Sequence, residues 1–226
     1  PGQPTKAPPV TPIRLGLIGA AGDLPLSSAD ASAQECASGL FELSTPSRRI
    51  VFGGVSERPV ASLLRGFSAP VRLETDQSDE DLLVQLAQDS DSFNRWQAAQ
   101  TFVTRLLIRS TAAIRAGELA LEDARLREAF ERVLTGALRA NTPDFASAAQ
   151  IVSLPSEADI AREIGADGDP DAIFLARKAT RAALGRGLAP ILAELHDALA
   201  MKGAYSPDAA SAGRRALRNA ALDLLV

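Results

Sequence analysis

Residues 57–74 read ERPVASLLRGFSAPVRLE, and no single regular element can run through them. Pro59 and Pro70 each lack an amide donor, fix their own φ and push the preceding residue toward extended backbone. Gly66 adds a third break between them. Leu63, Leu64, Phe67, Val71 and Leu73 supply apolar groups around these breaks. Val71-Arg72-Leu73-Glu74 alternates apolar and polar, the two-residue period of a half-buried strand. The stretch therefore reads as a packed connection between two differently built parts. Upstream of it the sequence has strand character, and downstream it is helical almost to the last residue. The expected fold class is α+β, and 226 residues suffice for one large or two small domains with cores of their own.

In the first part, residues 1–12 are rich in proline and lack periodicity, which predicts an extended lead-in. Residues 13–19 predict a strand and Ala20-Ala21-Gly22-Asp23 a turn. Residues 33–43 and 48–55 read as two more strands, separated by Ser44-Thr45-Pro46-Ser47, with Gly53-Gly54 ending the second. Gly16, Gly19 and Gly22 do not have the G-x-G-x-x-G spacing of a dinucleotide loop. Pro25, Ser27 and Ser28 follow where its helix should start, so a hairpin turn is the better reading.

The second part opens at Ser78, which with Asp81 makes a capping-box pattern. Asp79 and Glu80 add negative charge where the helix dipole favours it. Leu82, Leu83, Leu86 and Ala87 then share a face. A second helix is expected over residues 92–110 with Phe93, Trp96, Ala99, Val103, Leu106 and Leu107 as its apolar stripe, which makes Trp96 a core residue. A third covers residues 121–139, with Leu126, Phe130, Val133, Leu134 and Ala137 inward. Thr142-Pro143 starts a fourth, with Thr as cap and Pro in first position. Ser156 with Asp159 caps a short helix that ends near Gly165. Asp169-Pro170 starts the longest, expected to break or bend near Gly185, Gly187 and Pro190. Ser206-Pro207-Asp208 starts the last, which buries Leu217, Ala220, Ala221, Leu224 and Leu225. Helices in succession with short connections suggest antiparallel layers, an irregular solenoid.

Residues 59–73, PVASLLRGFSAPVRL, resemble the signature that follows the catalytic domain in the bacterial aminopeptidase N family, zinc metallopeptidases of the gluzincin type. Residues 11–17 (TPIRLGL) resemble the strand after that family's Pro-rich lead-in, and residues 89–100 (DSDSFNRWQAAQ) resemble its first helix pair. Leu154-Pro155-Ser156 and residues 214–220 (RRALRNA) resemble later landmarks. These matches are colinear and run over essentially the whole chain. The resemblance implies a partial immunoglobulin-like β-sandwich over residues 1–76 and the first part of an all-α antiparallel helical domain over residues 77–226.

The chain would thus be a non-catalytic C-terminal fragment. Its parent would hydrolyse N-terminal amino acids from peptides with a zinc-bound water, in the cytoplasm. The fragment would be scaffold that helps to enclose the catalytic chamber, and its partner would be the parent's catalytic domain. Because the family's sandwich has further strands upstream, about four strands (near Ile13, Ala33, Arg48 and Val71) would remain. The open edge would then be available for self-association. The alternative is an autonomous helical-repeat interaction protein with a β appendage, against which the colinear signature counts.

A gluzincin site needs H-E-x-x-H on a helix and a downstream Glu as third zinc ligand. This chain has one histidine, His196, and one cysteine, Cys36, and its only methionine, Met201, is not part of a G-A-M-E-N motif. No residue is therefore assigned as catalytic, cofactor-binding or metal-ligating. Zinc belongs to the parent's catalytic domain, and the chain alone is not expected to be an enzyme. Cys36 reads as an inert thiol on a strand and His196 as a partly exposed helix histidine. Arg214 and Arg215 read as a solvated helix face. No G-x-S-x-G elbow is present.

Bulk properties exclude further classes. The net charge of −4 offers no general attraction to nucleic-acid phosphates. No apolar run approaches the ~20 residues needed to span a bilayer, and no signal peptide is visible at Pro1, where a fragment would have lost one. Lysine occurs only at 6, 178 and 202. The arginine excess accompanies many alanines, which points to a GC-rich genome rather than to a phosphate site.

Overall fold

The structure, a computed structural model, describes residues 9–201 and 203–226. Most of the Pro-rich lead-in, with Lys6, lies outside the described residues, as does Lys202. The chain forms two compact units, Pro1–Arg95 and Trp96–Val226.

The first unit is built on β1 (Thr11–Gly19). The first half of β1 pairs antiparallel with β3 (Leu40–Leu43), Thr11 opposite Leu43 and Arg14 opposite Leu40. Its second half lies between β2 (Gly22–Leu24) and β4 (Val60–Leu63), with Gly19 opposite Gly22 and Ile18 opposite Val60. Successive strand residues face opposite ways. Leu15 and Leu17 thus join Phe41 in a core completed by Leu26, Phe52 and Val55. Ile18 is fully buried on the other side. There α2 (Asp79–Gln88) packs on β1 and β4 and buries Leu82 and Leu86. Its N-terminus is built as the sequence predicts: Ser78 Oγ accepts from Asp81 N at 3.2 Å, and Asp81 Oδ2 accepts from Ser78 N at 3.1 Å.

Three expected strands are corrected. Residues 33–43 begin as helix α1 (Ala33–Ser38), because Ser32 and Glu35 form a reciprocal capping box and Gly39 closes the turn at φ 65°. Cys36 is accordingly a half-buried helix residue, not a strand residue. Residues 48–55 form no strand. Phe52 makes one isolated bridge to Ser28, and its ring meets Phe41 edge-on at 5.8 Å, so packing places this segment without a ladder. Residues 71–74 also stay irregular, with Val71 45% and Leu73 36% exposed. Alternation makes a strand only where a partner edge receives it, and the edge of β1 is taken by β4, directly after Pro59.

The second unit is helical. α3 (Ser92–Arg115) starts at the end of the first unit and runs five residues past its expected end. α4 (Ala124–Arg139) is capped by Asp123 and buries all five expected residues. α5 (Phe145–Val152) is capped by Asp144, which accepts from Ser147 N at 2.9 Å, so the start lies two residues beyond Thr142-Pro143. α6 (Glu157–Ile164) is capped by Ser156, and α7 (Pro170–Ala198) by Asp169 with Pro170 in its first turn. α8 (Ala209–Leu225) is capped by Asp208. α8 packs on α5 and α7, α4 on α5 and α7, and α6 on α7.

α7 is continuous through Gly185, Gly187 and Pro190, so the expected break is absent. Gly185 has a packing reason instead: a Cβ there would lie 2.1 Å from the carbonyl oxygen of Leu224 on α8. The buried stripe of α8 is narrower than expected, since Ala220 is half-buried and Leu225 is 38% exposed. Trp96 is also corrected. The buried stripe of α3 is Ala99, Phe102, Val103, Leu106 and Leu107, and Phe102 shifts its centre so that Trp96 falls on the half-buried margin. Among the described residues no helix is long and apolar enough to cross a membrane.

The Arg65 cluster as candidate functional site

The connecting stretch contains the densest polar construction in the first unit. β4 ends at Leu63, and Leu64, Gly66 and Phe67 then adopt positive φ of 57°, 61° and 54°. Such angles are uncommon for Leu and Phe and persist only where surrounding bonds impose them. Here Gly66 N donates to Asp91 Oδ2 at 2.8 Å, Phe67 N to Leu64 O at 3.0 Å, and Arg14 N to Ser68 Oγ at 2.8 Å. The turn sends Arg65 inward and leaves Phe67 67% exposed, its ring 3.9 Å from that of Phe93.

The Arg65 side chain is only 13% exposed. Its Nη1 and Nη2 donate to the two carboxylate oxygens of Asp23, each at 2.8 Å, a bidentate pair across 42 residues of sequence. Nη2 also donates to Asp89 Oδ1 at 2.9 Å, and Nε to Ser62 Oγ at 2.8 Å. The Asp89 side chain has no exposed surface. Asn94 Nδ2 bridges Ser62 Oγ and Leu63 O, and Ser90 Oγ donates to Asp23 at 2.6 Å. Gly16 makes the space, since a Cβ there would lie 2.2 Å from Arg65 Cζ. Gly16 thus serves a buried guanidinium and not a phosphate.

The electrostatics are those of a lock. Hydrogen bonds from Arg65 hold the Asp23 carboxyl below its ordinary value against the opposing effect of burial, with help from Ser90. Burial works against the charge on Arg65, but Asp23, Asp89 and Asp91 outweigh it and raise its pKa. Both groups stay ionised at neutral pH, and a guanidinium cannot act as a base. A second clamp lies seven residues earlier. Arg58 donates to Asp81 Oδ1 at 2.7 Å and Oδ2 at 3.0 Å, so one carboxylate both caps α2 and ties it to the start of β4. The Arg58 hydrogen bonds lead the lowering of the Asp81 pKa. Arg58 and Arg65 together fasten α2 and the α2–α3 turn to the sheet.

The residues weighed as reactive are placed elsewhere. Cys36 belongs to the first unit and His196 to the last turn of α7 in the second, so they do not form a dyad within either unit. The His196 side chain is 26% exposed, with Nδ1 3.6 Å from Asp197. Asp79 and Asp81 sit in the first turn of α2, as capping requires. Arg214 and Arg215 are half-buried rather than a solvated face. Arg215 lies 4.6 Å over the Tyr205 ring and donates to Ser206 O at 2.8 Å, and Arg214 reaches Ala198 O at 3.3 Å. Among the described residues no group of three or more His, Cys, Asp or Glu is placed to hold a metal ion. The Arg65 cluster escaped the sequence reading because its partners are 24 and 42 positions away. The available signal was Gly16, a glycine inside a strand, which marks a close approach.

Known proteins now supply the context. Residues 79–226 match the family described as a domain of unknown function (DUF3458_C) with ARM repeats. Residues 1–76 match its companion DUF3458, described as an Ig-like fold. This chain belongs to the DUF3458_C family. It is 42% identical over 171 residues to an aminopeptidase N of Caulobacter vibrioides, a match covering 76% of this chain and 19% of the relative. It is 33% identical to the aminopeptidase N of Escherichia coli, covering 77% of this chain and 19% of that protein. The chain spans about a fifth of the length of these relatives. In fold it is similar to a crystal structure of Legionella pneumophila aminopeptidase A in complex with aspartic acid, with TM-score 0.69 and 21% identity over 96% of this chain and 24% of that one. The resemblance to the C-terminal portion of aminopeptidase N thus extends over sheet and helices alike.

Proposed function

We propose that this chain is the non-catalytic C-terminal part of a cytoplasmic zinc-dependent aminopeptidase N, whose whole length releases N-terminal amino acids from peptides. Its role there is scaffold: it helps to enclose a catalytic chamber that other parts of the polypeptide build. The observation that carries this reading is the colinear match of the chain to about a fifth of each aminopeptidase N relative. The construction of the signature stretch supports it, because Arg65 and Arg58 are both engaged in ion pairs that fasten the sheet to α2 and to the turn after it. The proposed domains are residues 1–76 and 77–226, a reading supported by the two matched families, which cover residues 1–76 and 79–226. The one unpaired cysteine suits a reducing compartment. Self-association would use the outer edge of β2, since outer backbone groups of β3 and β4 already bond Ser38, Arg48, Gln77 and Asn94.

The test is a deletion in the longer polypeptide from the same reading frame. Removing residues 79–226 should abolish hydrolysis of an aminoacyl anilide, and supplying residues 1–226 in trans to the remainder should restore part of it. A polypeptide that keeps its full kcat/KM without these helices would refute the scaffold role.

A further inference from the structure

α7 carries a buried hydroxyl with nothing to bond. Thr180 is 4% exposed, and its Oγ1 has no hydrogen-bond partner. A helical threonine commonly bonds the carbonyl four residues back, as Thr111 does to Leu107 O at 2.8 Å in α3. Thr180 instead lines a cavity of about 470 Å³ between the start of α4 and the middle of α7. That volume is within the ~300–1,000 Å³ of small-molecule sites. Leu106, Leu126 and Leu184 supply apolar wall.

The lining also carries four charged residues. Asp123 is already engaged, since it caps α4 and pairs with Arg125 at 2.7 Å. Glu122, Arg127 and Arg186 are exposed along the same cavity. Arg186 Nη2 stays 3.6 Å from Glu122 Oε1, beyond hydrogen-bond distance, and Arg127 has no ion pair among the described residues. The arm of Arg127 crosses α7 at Gly187, where a Cβ would lie 2.6 Å from Arg127 Cδ. Thr180, Leu184 and Gly187 share one face of α7, and seven residues of helix put Thr180 roughly 10 Å along the axis from that crossing. The cavity thus has an uncommitted hydroxyl at one end, apolar wall between, and two guanidinia beside one carboxylate at the other.

We propose that this cavity binds a free α-amino acid with a linear side chain that ends in a hydrogen-bond acceptor, glutamine being the type case. Its carboxylate bonds Arg127 and Arg186, its ammonium bonds Glu122, its methylenes lie on the leucines, and its amide oxygen accepts from Thr180. Extended glutamine spans roughly 6–7 Å from carboxylate to amide oxygen, and a ~3 Å hydrogen bond at each end bridges the remaining distance. This site stands on the cavity alone. If the peptidase reading also holds, the ligand is of the class that the parent reaction releases.

The experiment is titration of the chain with L-glutamine, followed by calorimetry and by amide NMR shifts. Saturable binding with shifts confined to residues 121–127 and 180–187 is expected. L-Norleucine, which lacks the acceptor, and glutaramic acid, which lacks the ammonium, should bind about tenfold or more weaker, as should Thr180→Val and Arg127→Gln. No saturable binding, meaning water alone in the cavity, would overturn the proposal. So would norleucine binding as well as glutamine, or binding undiminished in Thr180→Val. If Thr180→Val does not fold, Arg127→Gln and the ligand series decide.

Discussion

Gly16→Ala should act through Arg65 and not through the strand that contains it. A Cβ at position 16 would lie 2.2 Å from Arg65 Cζ, 2.3 Å from Nη1 and 2.6 Å from Nη2. The guanidinium must leave, and its bonds to Asp23, Asp89 and Ser62 go with it. Asp23 is 39% exposed, so water takes over much of its half of the pair. Asp89 has no exposed side-chain surface and is left charged and buried, the situation that costs about 3–5 kcal/mol. Allowing for the hydrogen bonds that Asp89 keeps, from Gln85 Nε2 at 3.3 Å and from Asp91 N at 2.9 Å, we expect about 3 kcal/mol. Arg65→Ala should cost about the same. In the Arg65→Ala background the clash is gone, and Gly16→Ala should cost less than about 1 kcal/mol, a coupling of about 2–3 kcal/mol between the two positions. Hydrogen exchange of β1 and β4 amides across a urea series measures all four corners of this cycle. Additive costs would refute the reasoning, because they would mean that Gly16 is needed for the backbone and not for the guanidinium.

Three further outcomes follow from the packing and the charges. Gly185→Ala should destabilise the helical unit by about 1–3 kcal/mol, because its Cβ meets the Leu224 carbonyl, whereas Gly136→Ala in α4 meets open space and should stabilise by up to about 1 kcal/mol; thermal unfolding ranks them. Asp144→Ala should cost about 1 kcal/mol and Thr142→Ala much less, read from amide exchange in α5, because Asp144 bonds the Ser147 amide. Asp23 and Asp81 have pKa values below the ordinary 3.8, so they bind fewer protons folded than unfolded. Their contribution is full above about pH 4 and is lost as pH falls below it. Urea midpoints of the first unit from pH 6 to pH 3 should therefore decline at the acid end, and a flat profile would count against the two clamps.

Local signals were read well from the sequence, and non-local ones were not. Ser78 with Asp81, Ser156 and Asp169-Pro170 start helices where their side chains can serve the first amides, a decision made within three residues. The same signal stands at Ser32 and Glu35, and it makes a helix of residues that the sequence suggests as a strand. Val71 and Leu73 alternate correctly but have no ladder to join, while Val60–Leu63 takes the edge of β1. Strand identity depends on a partner, and a single sequence does not name one. The candidate site shows the same limit. Arg65 stands in the stretch first singled out, yet Gly16, Asp23 and Asp89, which give it meaning, come from three other segments. Trp96 sits on the half-buried margin of its helix because the fully buried Phe102 shifts the centre of the stripe.

The most direct test compares the purified chain with the full-length product of its reading frame in one assay, hydrolysis of an aminoacyl anilide with and without a chelator. The full-length protein should turn over the substrate, lose activity to the chelator and contain about one zinc per chain, while residues 1–226 alone show no turnover and keep no zinc through dialysis. Chelator-sensitive turnover by residues 1–226, or a full-length product without zinc and without activity, would contradict the assignment of this chain as the scaffold of an aminopeptidase.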